Sequence, residues 1–195
     1  MNKLFFFSTN VHKIKEVKKI LKKRNYTLLT LNDFPKIIEP KENGNTFQEN
    51  ASIKSNFGFK KFGLPCFADD SGICISALNN LPGVYSKRFK KENGGIKKTF
   101  KKITEETIKN NNFKAFFQTT ISFTYENNTI YFNGIVKGTI AKKPLGTFGF
   151  DYDPIFIPLG QKKAYAQMLL REKNLISHRA VALKKFIKFL QKSFN

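Results

Sequence analysis

Residues 67–72 read Phe-Ala-Asp-Asp-Ser-Gly, placing two carboxylates side by side in a chain that has 14 acidic residues against 35 lysines and arginines. Neighbouring side chains on a strand point to opposite faces. Asp69 and Asp70 therefore share one pocket only if the backbone kinks, and Gly72 is the residue that allows it. One aspartate is then placed to meet a cation, as metal ligand or catalytic group, while the other orients nearby backbone. The alternative is an ordinary turn, since Asp-Ser-Gly is common turn chemistry.

Three other stretches could carry chemistry. Ser8-Thr9-Asn10-Val11-His12-Lys13 follows an apolar run and opens a helical pattern, so free N–H groups, short polar side chains and Lys13 converge at a positive dipole end. That suits a phosphate, or a plain N-cap; the glycines of a Walker loop are missing. Ser177-His178-Arg179 puts cations at the start of the last helix, where each is disfavoured by roughly 0.3–1 kcal/mol. A bound anion would reverse that sign, with Lys173 one turn earlier; a solvated basic end is the other reading. In Gly146–Pro154, Phe148, Phe150 and Tyr152 alternate with Asp151 and Asp153. An aromatic there can stack on a base while a carboxylate accepts ring N–H groups, or the rings can tuck into a core. Only one Asp-Ser-Gly occurs, which leaves an aspartic protease short of its second aspartate unless a homodimer supplies it. At the acidic pair, the nucleophile-x-Asp spacing of haloacid-dehalogenase-type phosphatases is absent.

The elements that must position these residues follow from periodicity. Residues 3–8 predict a buried strand, and 11–23 a helix with Val11, Ile14, Val17, Ile20 and Leu21 on one face. A second strand covers 26–31, and 32–45 form a loop. A helix over 46–62 is signalled by Thr46 and Glu49 as a capping box and by Gly63 and Pro65 as its stop. A strand ending at the aspartates continues as 72–78; a helix covers about 95–110; 114–126 and 129–141 form a long hairpin. A short strand at 155–158 precedes an amphipathic helix capped by Ser177. This order predicts one α/β domain over 1–195 with a mixed sheet.

Composition bounds the partners. The formal charge of +21 suits nucleic acid or phosphate-bearing substrates, or reflects lysines scattered over helix faces without a function. No stretch nears the roughly 20 apolar residues of a membrane span, and the first apolar run is too short for a signal peptide. Cys66 and Cys74 have no metal-ligand spacing with a His and fit a reduced cytoplasmic protein.

Read in order, S-T-N-x-x-K, F-x-E-N-A-x-x-K, A-D-D-S-G, L-P-G-V-Y-S-x-R, Y-D-P-I-F and S-H-R-x-x-A-L make the chain resemble the inosine/xanthosine triphosphate pyrophosphatases, the Ham1-like family, from Phe7 to about Leu190. The resemblance implies a cytoplasmic homodimer with an elongated mixed α/β fold, flanking helices and a cleft between two lobes. It implies Mg²⁺-dependent hydrolysis of ITP, dITP or XTP to the monophosphate and pyrophosphate, with no membrane and no stable nucleic-acid partner. By motif, Ser8, Thr9, Asn10, Val11, His12 and Lys13 would contact the triphosphate. Asp70 would be the catalytic carboxylate and a metal ligand, with Glu42 as second ligand and Glu39 or Asp69 as substitutes. Ser71 would touch substrate; Phe150, Asp151, Tyr152 and Asp153 would hold the base, with Phe150 stacking; Lys173, His178 and Arg179 would complete base and phosphate recognition. The chain departs from the family pattern at Thr9 and Asp151, where glycine is usual, and at Lys41 and Gln167, where glutamate is. A Maf-like nucleotide pyrophosphatase and a basic nucleic-acid-binding protein are the rival readings.

Overall fold

The structure, a computed structural model, describes residues 3–22, 26–126 and 128–194. Among the described residues six strands form one mixed sheet in the order β2-β1-β3-β4-β5-β6. They are β1 (Lys3–Phe6), β2 (Thr27–Thr30), β3 (Cys66–Ile75), β4 (Lys114–Tyr125), β5 (Asn128–Ile140) and β6 (Phe156–Pro158). β1 runs parallel to β2 and β3, and β6 antiparallel to β5. The helices are α1 (Val11–Leu21), α2 (Phe47–Phe62), α3 (Ser86–Glu92), α4 (Ile96–Lys109), α5 (Leu170–Ile176) and α6 (His178–Ser193). The chain divides into two compact units, the first Met1–Asp70, Thr119–Gly134 and Arg179–Asn195, the second Ser71–Gln118 and Ile135–His178.

In the first unit β1 is apolar on both faces because it is covered on both, as parallel strands are. Leu4 and Phe6 join Ile14, Val17 and Leu21 of α1 and Leu183, Phe186 and Leu190 of α6. Phe5 and Phe7 pack with Cys66 and Ala68, with Phe57 and Phe62 of α2 against them. That second contact is close: a Cβ on Gly58 would lie 2.5 Å from Cys66 Sγ and 2.8 Å from the Phe7 ring. The inner face of α2 is otherwise polar and matches β4. Ser55 Oγ lies 2.7 Å from Ser122 Oγ and 2.8 Å from Thr124 Oγ1, which satisfies three buried hydroxyls at once.

The second unit has its own core of Ile73, Ile75, Phe100, Ile103, Phe117, Ile155, Phe156 and Tyr165. Here α4 forms where its pattern predicts, and the paired ends of β5 and β6 bring Ile140 opposite Phe156.

Several expectations are corrected. Val11 is 65% exposed rather than on the buried face of α1. The capping box of α2 is shifted: Thr46 Oγ1 accepts from Glu49 N–H at 3.1 Å, but the Glu49 carboxylate reaches Asn45 N–H at 2.7 Å. The strand does not stop at the aspartates; β3 runs through them for ten residues. Gly72 is required for close approach rather than for a kink, since a Cβ there would sit 2.1 Å from Gly83 O and 2.6 Å from Ser86 Oγ. Finally, α5 fills 170–176 and Ser177 separates it from α6. The end of the first predicted helix at Lys23 and the hairpin turn at Asn127 lie outside the described residues.

Candidate active site

With β3 unbroken, alternation decides where the two carboxylates go. Asp69 shares the face of Phe67 and meets α1 and α6; Asp70 shares the face of Ala68 and meets α2. Each has its own partners, and both are buried.

Asp70 Oδ2 accepts from Asn50 Nδ2 at 3.2 Å, and its Oδ1 lies 4.0 Å from Lys54 Nζ. Asn50 and Lys54 are one turn apart on α2, which aims both side chains at the same strand position. Lys54 also donates to Asp69 O at 2.7 Å and to Glu42 Oε2 at 2.8 Å. Burial lowers the affinity of Lys54 for its proton, but Asp70, Glu42 and Asp69 outweigh it and the net shift is upward. Asp70 moves up too, because burial is its largest influence and Lys54 and Lys13 offset it only in part. The asymmetry is geometric: the ammonium has two oxygens within 3 Å, whereas the carboxylate has its cation at 4.0 Å.

Asp69 anchors the other face. Its Oδ2 accepts from Arg179 Nε at 3.2 Å and Nη2 at 3.0 Å, and its Oδ1 accepts from Lys13 Nζ at 3.1 Å. Arg179 Nη1 donates to Glu16, so the buried guanidinium is gripped from two sides. Burial lowers the Arg179 pKa and the two carboxylates more than restore it, giving a net rise. Lys13 is lowered, chiefly by burial, with Asp69 opposing. Buried ions cost several kcal/mol each unless well paired, and a cluster of charged groups this dense inside a small core is the candidate active site.

Residues 8–13 form the loop and first turn beside this cluster. Asn10 is the N-cap, its Oδ1 accepting from His12 N–H at 3.0 Å and Lys13 N–H at 3.1 Å. Ser8 Oγ accepts from Asn10 N–H at 3.2 Å, and Thr9 Oγ1 donates to Glu39 Oε1 at 3.2 Å. Val11 and His12 are exposed. Glu39 is thus occupied with Thr9, and Glu42 is the loop carboxylate that shares Lys54 with Asp70.

The second unit, which begins at Ser71, holds the other predicted group. Phe150 N–H donates to Asp153 Oδ2 at 2.8 Å, and Asp153 N–H donates back to Phe150 O at 3.1 Å. Lys173 Nζ donates to Asp153 Oδ2 at 2.6 Å and sits 4.7 Å from the centre of the Phe150 ring. Phe150 is half-buried, Asp153 and Lys173 buried. His178 is buried in a parallel stack on Phe117 at 4.5 Å. The Tyr152 ring is in the core of the unit and its hydroxyl donates to Ser86 O at 2.7 Å. Burial pushes that phenol's pKa upward, and the Asp151 charge adds to the effect. Asp151 turns onto Lys90. Arg179 belongs to the first unit, where it pairs with Asp69 and Glu16, whereas His178 and Lys173 belong to the second.

The chain matches the Ham1 family model over residues 4–189. It belongs to the Ham1 family. The dITP/XTP pyrophosphatase of Christiangramia forsetii is 37% identical over 97% of this chain and 100% of its own length. That of Clostridium perfringens is 38% identical over 95% of each. A solved HAM1 protein of Coxiella burnetii superposes with a TM-score of 0.88 at 32% identity, covering 99% of this chain and 100% of that one. The Ham1 protein of Staphylococcus aureus gives 0.86 at 33%, covering 97% and 98%.

Within this Ham1 chain, Lys54, Asn50 and Glu16 carry contacts that spacing alone did not assign. Their signal was available: Asn50, Ala51, Lys54, Ser55 and Gly58 repeat at helical spacing, and a helix whose inner face is polar and small is not built for packing alone.

Proposed function

We propose that this chain is an enzyme that hydrolyses inosine and xanthosine triphosphates, and their deoxy forms, to the monophosphate and pyrophosphate. The observation that carries the reading is the buried Asp70 carboxylate held between Asn50 and Lys54, in a Ham1-family chain whose full-length relatives are dITP/XTP pyrophosphatases.

The reaction needs a water oxygen to bond to the α-phosphorus, the bond to the bridging oxygen to break, and pyrophosphate to leave. Asp70 accepts the proton of that water. Its burial favours this, because a desolvated carboxylate is a stronger base than one in water. Lys13, fixed by Asp69, and the positive end of the α1 dipole hold the departing phosphates, where dipole and ammonium offset the charge that develops. Asn50 keeps the Asp70 carboxyl in place.

Mg²⁺ is part of this proposal. Glu42 and Asp70 both approach the single ammonium of Lys54, at 2.8 and 4.0 Å, so one small cation can be shared between them. Among the described residues no group of three or more His, Cys, Asp and Glu could hold a metal. Two carboxylates nevertheless fit Mg²⁺, which takes few protein ligands and keeps water and substrate phosphates. Bound there, it would offset phosphate charge and acidify water.

Base choice is assigned to Phe150, Asp153 and Lys173. Hypoxanthine and xanthine present an N1–H donor and a 6-oxo acceptor; adenine presents an acceptor and an amine. A carboxylate beside an ammonium complements the first pair and mismatches the second. Two buried polar groups left unpaired cost about 1–3 kcal/mol each, a discrimination of roughly thirtyfold or more. The family resemblance also carries a homodimer working in the cytoplasm. No helix is long and apolar enough to cross a membrane.

Pyrophosphate release measured across ITP, XTP, GTP and ATP, with and without Mg²⁺, tests the reading. ITP and XTP should lead ATP by roughly thirtyfold or more in kcat/KM, with Mg²⁺ required. Equal rates for ATP and ITP would remove the base assignment.

A further inference from the structure

Asp151 adopts φ +49°, between Gly149 at φ +76° and the turn closed by Asp153. A left-handed conformation costs a residue with a Cβ roughly 1–2 kcal/mol, less for Asp than for most, and a tether on the Asp151 side chain would offset that cost. Its carboxylate pairs with Lys90 of α3, 61 residues earlier in the chain. One position on, the Tyr152 hydroxyl bonds to Ser86 O at 2.7 Å, at the first residue of the same helix. The segment is thereby tied to α3 twice, by a buried hydrogen bond and by a part-exposed ion pair.

The tie bears on what lies either side of it. Phe150 and Asp153 exchange two hydrogen bonds across Asp151, at 2.8 and 3.1 Å. The turn has no slack, because a Cβ on Gly149 would fall 2.2 Å from Asp153 Oδ2. Rotating Asp151 out of its left-handed conformation must therefore move the Phe150 ring, the Asp153 carboxylate, or both. The geometry points to Lys90 as a positioning residue: through Asp151 it fixes the turn that aims Phe150 and Asp153, and so it sets affinity for the nucleobase without touching it. This rests on the base assignment made above. It also gives the bulky residue that stands in place of the family's glycine a function directed away from the base.

The test uses four variants of the full chain: Lys90→Met, Lys90→Arg, Asp151→Gly, and Lys90→Met combined with Asp151→Gly. Two readouts are taken, amide hydrogen exchange over residues 146–153 in the free protein, and KM and kcat for ITP. A part-exposed pair is a modest tether, so Lys90→Met should speed exchange and raise KM by about two- to fivefold, with kcat held. Lys90→Arg keeps the charge and should keep both values. In the Asp151→Gly background Lys90→Met should add nothing, since glycine takes the conformation unaided. Unchanged exchange in Lys90→Met overturns the tether. An equal KM rise in both backgrounds overturns it as well, because Lys90 would then meet substrate itself. Wild-type protein inert toward ITP and XTP would instead sink the base assignment, and with it the affinity claim, whatever the exchange data give.

Discussion

In the proposed mechanism Asp70 combines two demands that usually conflict, since it would be desolvated to act as a base and ionised to hold a cation. Burial raises its pKa from the usual carboxylate value, so the folded state holds that proton more tightly than the unfolded chain does. Its contribution to stability is therefore fully present at acid pH and is lost as pH rises from the unfolded value through the raised folded one. Asp70→Asn should accordingly melt at or above the wild-type temperature at neutral pH; a clear drop in Tm by calorimetry would contradict the sign. As the proposed base, the same carboxyl should set the acid limb of the pH–rate profile. A cation beside it favours the ionised form, so raising Mg²⁺ should move that limb to lower pH, and a limb indifferent to Mg²⁺ would separate Asp70 from the metal. Phe150→Ala should raise KM for ITP by roughly five- to a hundredfold, the worth of a stacked base, with kcat nearly kept. An unchanged KM would leave Phe150 as packing. Of these residues, the aspartates and the 150–153 stretch were legible as types at a spacing. The pairing of Glu16 with Arg179, 163 positions apart, was not, because no local pattern encodes which distant charge will close a buried network.

At the scale of elements, β3 decides the geometry. Its unbroken alternation sends Asp69 and Asp70 to opposite faces, where they serve different helices, and its continuation past Asp70 depends on Gly72. Gly72→Ala would press a methyl against Gly83 O and Ser86 Oγ. The cost expected is about 1–3 kcal/mol, or roughly 2–12 °C in Tm for a chain of this length, read by thermal unfolding. A neutral substitution would mean that the 83–86 turn yields freely. Sequence reasoning placed the strand but ended it too soon, since a Gly after Asp-Ser is also what a turn looks like. Long periodic elements (α2 with its Gly63 stop, α4, and the two arms of the hairpin) were readable because many positions repeat one signal. The seven-residue helices α3 and α5 span too few turns to show a period, and tertiary contacts such as Tyr152 on Ser86 help to hold α3. The polar inner face of α2 was visible as residues yet had no assigned meaning until Asp70, Ser122 and Thr124 were seen to meet it.

For the whole molecule, a charge of +21 acts through its field rather than through any one contact. Like charges repel in the compact state, and salt near 0.15 M shortens their reach to about 8 Å. Tm should thus rise from low to physiological salt, while kcat/KM for a polyanionic nucleotide should fall as steering weakens; opposite signs for either would show that the buried network, not the surface, dominates. The fold and reaction class were legible because six motifs in one order constrain a chain far more tightly than composition does. The size of the net charge was legible as well, but not its function or the partners of individual lysines. The account stands most directly on the products formed from dITP with Mg²⁺ by the wild-type chain and by Asp70→Asn. It predicts one pyrophosphate per nucleotide with no orthophosphate, and a variant slower by at least about a hundredfold that still folds. Orthophosphate as the first product, or a folded variant as fast as the wild type, would contradict it.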